Sequence, residues 1–361
     1  MKQPLAGFSL SEIETFLSGL PRFRAKQIYK WITKGVNSFE QMTDIPLTLQ
    51  KQLQESFCLF SASVTDCYED ENTRKTALSL IDGSKAEAVL LRDGKNRLTA
   101  CISTQAGCPA GCVFCKTGSL GFKRNLTSSE IAEQFLILKN FIPRNSADSS
   151  LRYADKNKDD KKEDGGHLID NIVVMGMGEP LLNLENLRKA IEVFTCRQGL
   201  NFSKRRITVS TCGICSGLFD IASNGPYVRL ALSLTTADEA LRQRLMPVTK
   251  SNPLEEVKKA LKLFQDSGGG RVTLEVPLLG GINTRGKDAS SIADFSKNLD
   301  TVINIIPWNP VSCLKFEGNP LREPEKKEVS DFIRMLENYG LKVTMRLHKG
   351  QKIMGACGQL G

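Results

Sequence analysis

Apolar positions change their period along this chain, and the changes divide it. Over the first sixty residues they recur at helical spacing, which predicts helices at 9–18 behind a candidate cap, at 22–33, and at 47–57 after a proline. Between 61 and 103 short runs rich in Val, Leu, Ile and Thr are separated by Asp82-Gly83 and Asp93-Gly94, both good hairpin turns, so a small antiparallel sheet is expected there. From about Asn96 apolar strands alternate with amphipathic segments. Strands are predicted at 98–103, 171–175, 206–210, 228–234, 272–276 and 301–306. Helices are predicted at 128–141, 184–196, 217–222, 253–266, 289–298 and 324–338, the first opened by the capping box Thr127-Ser-Ser-Glu130. Strand–helix units in series imply parallel strands with helical crossovers: an α/β fold, either a partial or complete barrel or an open doubly wound sheet. The expected division is an accessory unit over 1–95, a core over 96–345 and a tail over 346–361. Within the core, 144–167 holds six basic and six acidic side chains and almost no large apolar ones, so it reads as a mobile surface insertion.

The 361 residues exceed what one compact domain usually needs, and 40% hydrophobic with 25% charged residues suits a soluble globular protein. No apolar run is long enough to span a bilayer, and the first residues lack the apolar core of a secretory signal. A cytoplasmic protein without a membrane is therefore expected. The formal charge of +9 permits a polyanionic partner without requiring one. Arg22, Lys26, Lys30 and Lys34 would form one basic stripe on a helix, which reads equally as a solvated face or a nucleic-acid contact.

Cysteine changes the picture. Eleven Cys, an odd number in a chain of this size with no export signal, fit reduced thiols serving a metal, redox chemistry or catalysis better than a disulfide framework. With only His167 and His348 present, a histidine-rich zinc site is disfavoured. Cys108, Cys112 and Cys115 follow a strand in a Cys-x3-Cys-x2-Cys run with no fourth Cys or His nearby. Zinc would want four ligands, whereas three cysteines on a four-iron cluster leave one iron open. Glycines in Met175-Gly-Met-Gly178-Glu179-Pro180 would let backbone approach a ligand at a strand's carboxyl end. Ser210, Ser233-Leu234-Thr235 and Asn309 end or follow later strands on the same rim, though each alone also reads as a cap or turn residue. Cys101 alone reads equally as core packing, and Glu87 as an ordinary surface acid. Cys357, in a Gly-flanked segment near the end, has no evident packing purpose.

The cysteine run resembles the signature of the radical S-adenosylmethionine (SAM) superfamily. The blocks from Cys101 to Cys115, Gly121-Phe-Lys-Arg-Asn-Leu-Thr127, Gly176-Met-Gly-Glu-Pro-Leu-Leu-Asn183, Pro307-Trp-Asn-Pro310 and Ala356-Cys-Gly-Gln-Leu360 together resemble the RlmN/Cfr family of rRNA adenine methyltransferases. That resemblance implies a partial (βα)6 barrel behind a small amino-terminal helical and β accessory domain. It implies a [4Fe-4S] cluster on Cys108, Cys112 and Cys115, and two SAM per turnover held near Gly178, Glu179, Ser210, Ser233, Leu234, Thr235 and Asn309. It implies methylation of carbon 2 of an adenine in 23S rRNA, with tRNA as a further candidate substrate and a donor such as flavodoxin reducing a monomeric enzyme. Cys357 would carry the methyl group, Cys101 would release the product through a transient disulfide, and Glu87 would accept a proton. Lys123-Arg124, Lys204-Arg205-Arg206, and Arg346 with Lys349 and Lys352 join the basic stripe as candidate RNA contacts.

The chain departs from the family at Thr235, where His is usual, and at Cys212, where Ser is more usual. Gln351, Lys352 and Met354 replace acidic residues before the terminal block. The alternatives are the related carbon-8 methyltransferase, a catalytically silent RNA-binding scaffold, and a zinc protein.

Overall fold

Residues 2–142, 169–345 and 349–361 are described by the computed structural model; the charged insertion expected at 144–167 lies outside them, as do Arg346 and both histidines. Helix α1 (Leu10–Phe16) starts at a full capping box, Ser9 with Glu12. In α2 (Arg22–Lys34) Ala25, Ile28, Tyr29 and Ile32 are buried, and Gly35 closes the helix in the left-handed conformation. Helix α3 (Leu47–Ser56) follows Pro46, as expected. These three pack onto the core: Lys139 Nζ donates to Thr33 O (3.0 Å), and the ring of Tyr29 leaves no room for a side chain at Gly199.

Ten strands form one sheet whose spatial order follows the sequence: β1 (Ser63–Glu69), β2 (Thr73–Ser79), β3 (Lys85–Arg92), β4 (Leu98–Cys101), β5 (Asn171–Val174), β6 (Ile207–Thr211), β7 (Arg229–Ser233), β8 (Val272–Leu278), β9 (Thr301–Pro307) and β10 (Val343–Met345). β1 to β4 pair antiparallel, and β4 to β10 parallel. Helices α4 (Ser128–Asn140), α5 (Leu184–Thr195), α6 (Cys215–Asn224), α7 (Glu239–Leu245), α8 (Leu254–Phe264), α9 (Gly286–Ser296) and α10 (Lys326–Asn338) supply the crossovers. The parallel strands read as continuous apolar runs because they are covered on both faces; Leu230, Ala231 and Leu232 are all buried.

The structure departs from the expected elements at four places. The antiparallel strands are not a separate sheet, since β3 folds back at Asp93-Gly94 and pairs with β4 from Val89↔Cys101 to Arg92↔Leu98. β4 would otherwise expose an unpaired edge. β10 adds a seventh parallel strand, too short and too polar to register as a periodic run. Helix α7 and a small hairpin, Gln105–Gly107 with Phe122–Asn125, were also not anticipated. No helix among the described residues is long and apolar enough to cross a membrane.

Candidate active site

The small hairpin brackets the cysteine loop and fixes its ends. Gly107 has a φ of +76°, and an added Cβ would lie 1.9 Å from Gly121 O, so the two arms touch backbone to backbone. Cys108 N–H donates to Gly121 O (2.9 Å), Cys115 N–H donates to Cys112 O (3.2 Å), and Cys115 opens the single turn Lys116–Ser119. Burial pushes the Cys108 thiol up to about 12, and raises Cys112 and Cys115 as well; each of Cys108 and Cys112 also feels Cys115. Buried thiols crowding one another need a strong local positive charge to ionise, which a metal centre provides.

These three sulfurs face a cavity of about 170 Å³ whose other walls come from the carboxyl ends of β5 to β9. Convergence of five successive strand ends on one space shows that the sheet curves as a partial barrel, with its site where such folds place it. Among the described residues no three His, Cys, Asp or Glu side chains are grouped to hold a single metal ion. One zinc would draw its sulfurs to about 3.8 Å from each other, given bonds near 2.3 Å. Three half-buried thiols bordering one chamber suit a larger inorganic cluster that leaves one iron without a protein ligand.

Gly178, Glu179, Ser210, Ser233 and Asn309 all line this cavity. Gly178 has a φ of +103° and lies against Gln105, whose side-chain oxygen accepts from Glu179 N–H (2.8 Å). The Glu179 carboxylate is largely occupied: it accepts from Thr211 Oγ1 (2.7 Å), Cys212 N–H (2.7 Å) and Leu181 N–H (3.0 Å). It therefore ties β5's loop to β6 as well as facing the chamber, and burial raises its carboxyl above the ordinary value. Ser210 Oγ lies 3.3 Å from Ser233 Oγ and donates to Glu275 Oε2 (3.4 Å).

Leu234 and Thr235 are fully buried and do not line the cavity. Their backbone does the shaping: both N–H groups donate to Glu275 O, and Thr235 O accepts from Asn283 Nδ2 (2.8 Å). Thr235 adopts a φ of +63°, strained for a β-branched residue, and its buried hydroxyl has no partner among the described residues. Glu275, Met175, Cys212 and Trp308 were not anticipated as lining residues. Glu275 carried a readable signal, a buried acid inside an otherwise apolar strand.

The terminal segment is packed rather than loose, unlike the flexible tail its glycines suggested. Ala356, Gln359 and Leu360 are buried, and Leu360 joins Val89, Leu91, Cys101 and Met177 in a satellite cluster. Asn309 Nδ2 donates to Cys357 O (2.9 Å), Lys116 N–H to Gly358 O (2.8 Å) and Thr117 Oγ1 to Leu360 O (2.6 Å). Cys357 lines the main cavity and also a smaller one of about 40 Å³ that Cys101, Met175, Asn309 and Lys349 share. Glu87 lines neither: its carboxylate pairs with Lys75 Nζ (3.2 Å) and accepts from Gly361 N–H (3.0 Å).

The basic candidates separate. Arg22, Lys26, Lys30 and Lys34 are exposed along α2. Arg124 is ion-paired, forking onto Glu130 (both contacts 2.8 Å) and onto Asp82 (2.6 and 2.9 Å), so its charge is already met within the chain. Lys204, Arg205 and Arg206 precede β6, at the end of the strand away from the cavity. Lys349 Nζ donates to Arg92 O, and Lys352 is exposed.

Known proteins are similar to this chain over nearly its whole length. Residues 3–59 match the ribosomal RNA large subunit methyltransferase N-terminal domain, and residues 151–288 match the radical SAM superfamily in a segment that begins after the cysteine run. A probable dual-specificity RNA methyltransferase RlmN from Treponema denticola is 46% identical, covering 100% of this chain and 96% of its own length. Proteins of the same description from Treponema pallidum (39%, covering 99% and 97%) and Thermotoga maritima (38%, covering 99% and 96%) are also similar. The crystal structure of a radical SAM methyltransferase from Sphaerobacter thermophilus superimposes with a TM-score of 0.88 at 31% identity, covering 99% of this chain and 98% of its own. Matched over nearly its whole length by relatives 38–46% identical, and by the family model over residues 3–59, the chain belongs to the RlmN family of the radical SAM superfamily.

Proposed function

We propose that this protein methylates carbon 2 of an adenine in 23S rRNA, and of an adenine in tRNA, with residues 1–95 as an accessory RNA-binding unit. The description of its relatives as dual-specificity RNA methyltransferases supports the substrate class. The observation that carries the mechanism is the position of Cys357, which borders both the three-cysteine chamber and the small pocket that contains Cys101. An electron-rich thiolate displaces a methyl group from a sulfonium readily; an aromatic carbon such as adenine C2 does not, so an intermediary is needed and a thiol beside the chamber can serve as one.

Cys108, Cys112 and Cys115 would hold a [4Fe-4S] cluster, with Gly178, Glu179, Ser210, Ser233 and Asn309 around its cosubstrate. Leu234 and Thr235 would act through backbone shape. When bound, the cluster and two molecules of SAM supply one methyl group, one electron and a hydrogen-abstracting radical, the electron originating in a donor such as flavodoxin.

The chain's own residues do the rest. Cys357 accepts the methyl group on sulfur and, facing the chamber, presents it for hydrogen abstraction and bonding to the base. The unpaired electron that bonding leaves on the adduct returns to the redox centre that supplied it, and the disulfide formed afterwards is reopened by an external thiol reductant. Cys101, across the small pocket, then attacks Cys357 sulfur as a thiolate. A sulfur–sulfur bond forms, the sulfur–carbon bond to the RNA breaks, and its electron pair leaves with the carbon, which takes up a proton. Glu87 serves as the acceptor for the proton lost from the base; to reach it, the base must displace the Gly361 amide that now bonds its carboxylate.

The test is anaerobic reconstitution with iron and sulfide, then turnover on rRNA and tRNA fragments with labelled SAM, locating the methyl group by mass spectrometry. Methyl on carbon 2 is expected, and methyl on carbon 8 would assign the chain to the other chemistry. Cys357→Ala should retain the cluster's visible absorption and transfer no methyl group. Cys101→Ala should accumulate the covalent protein–RNA adduct.

A further inference from the structure

Arg242, on α7, is the largest fully buried side chain among the described residues, with none of its surface exposed. Nε donates to Leu234 O (3.0 Å), Nη1 to Thr249 Oγ1 (2.7 Å), and Nη2 to Cys212 O (2.6 Å) and Ser233 O (3.2 Å). Four of its five N–H donors are thus placed, three of them on carbonyls that close the carboxyl ends of β6 and β7. Among the described residues no carboxylate lies within ion-pair distance of it. Its positive charge is therefore buried mainly against dipoles, with the Glu239 carboxylate of the same helix acting on it from beyond ion-pair distance, an ordinarily unfavourable arrangement.

What lies beside it supplies the reason. Val113 N–H donates to Leu245 O (3.0 Å), which joins the cysteine loop to the last turn of α7, and Met246, next in the chain, lines the chamber. The carbonyls of Cys212 and Ser233 that Arg242 holds belong to residues lining the same chamber as Cys108, Cys112 and Cys115, so the guanidinium stands directly behind that wall. Three thiolates on a four-iron cluster give it a net negative charge that grows when it takes up an electron.

We infer that Arg242 is a fixed counter-charge for this cluster, a positioning residue that makes the reduced state accessible from behind the chamber wall. This rests on the cluster reading above. Cluster potentials respond to net charge and burial, so the effect should appear as a change in how easily the cluster is reduced.

The experiment is a redox titration of the reconstituted protein followed by electron paramagnetic resonance, on wild type, Arg242→Gln, Arg242→Lys and Thr249→Val. Arg242→Gln should lower the ratio of reduced to oxidised cluster about tenfold at the potential where wild type is half reduced, equivalent to about 59 mV for one electron. Arg242→Lys and Thr249→Val, which remove hydrogen bonds but keep the charge, should stay within about twofold of wild type. A Gln variant that is folded, carries the cluster and titrates like wild type overturns the inference. If the Gln variant does not fold, a Lys variant displaced tenfold overturns it, because geometry rather than charge would then set the potential. Wild-type protein that assembles no cluster removes the underlying reading itself, a distinct outcome visible in the absorption spectrum before any titration.

Discussion

An added methyl group at Gly178 would meet Gln105 Cβ at 2.5 Å, on a backbone that L residues rarely adopt. Gly178→Ala should therefore destabilise the protein by about 2–5 kcal/mol, combining the left-handed backbone cost with local overpacking. The shift is measurable as a lower urea midpoint with an unchanged slope. This glycine was legible in the sequence, as were the three loop cysteines and Cys357, because each belongs to a short motif with its own spacing. Glu275 showed only as an acid within a strand run, and Arg242 not at all. One lies in a strand and the other on a crossover helix, and their meaning lies in which strand ends they join, a relation that no local spacing records. Thr235 is the intermediate case: its departure from the family residue was visible, but only the fold shows that its side chain points away from the chamber.

Helix α4 carries the clearest pH-dependent contact between elements. Burial pushes the Glu133 carboxyl up to about 7 even though Ser61 N–H, Ser61 Oγ and Ala62 N–H all donate to it. In the unfolded chain the same group would titrate near 4.5, so between these values the unfolded state binds fewer protons than the folded one. The stability it contributes is full below pH 4.5, falls as pH rises toward 7 and is constant above, by up to about 3 kcal/mol. Urea unfolding at pH 5 and pH 8 should show this loss in wild type, and Glu133→Gln should remove most of the difference. The element pattern itself was largely legible. All six predicted core strands exist, with bounds shifted by one or two residues, because a strand covered by helices on both faces must be apolar throughout. β10 and the hairpin around the cysteine loop were not, because three- and four-residue strands carry no period to detect.

At the scale of the whole molecule, the sheet continues through β4 without a break, so the antiparallel part and the barrel move as one body. RNA affinity should fall linearly with the logarithm of salt concentration, and the double variant Lys26→Ala, Lys30→Ala should make the slope shallower by about 0.7–0.9 for each phosphate left without its lysine. Fluorescence anisotropy across a salt series would measure it; an unchanged slope would leave the α2 face as simple solvated surface. The sequence could not distinguish these two readings, since a stripe of Lys and Arg looks the same whether it meets water or phosphate. A last consequence follows from the way Cys357 is held. Its carbonyl is bound by Asn309, and the carbonyls of Gly358 and Leu360 by Lys116 and Thr117, so the surrounding chain has little room to travel. Exchange of its sulfur between the two compartments then reduces to rotation about a single side-chain bond, an event of the picosecond-to-nanosecond class. In the proposed cycle, the slow event is then expected in entry and departure of the nucleic acid or in arrival of electrons, and not in the swivel of Cys357.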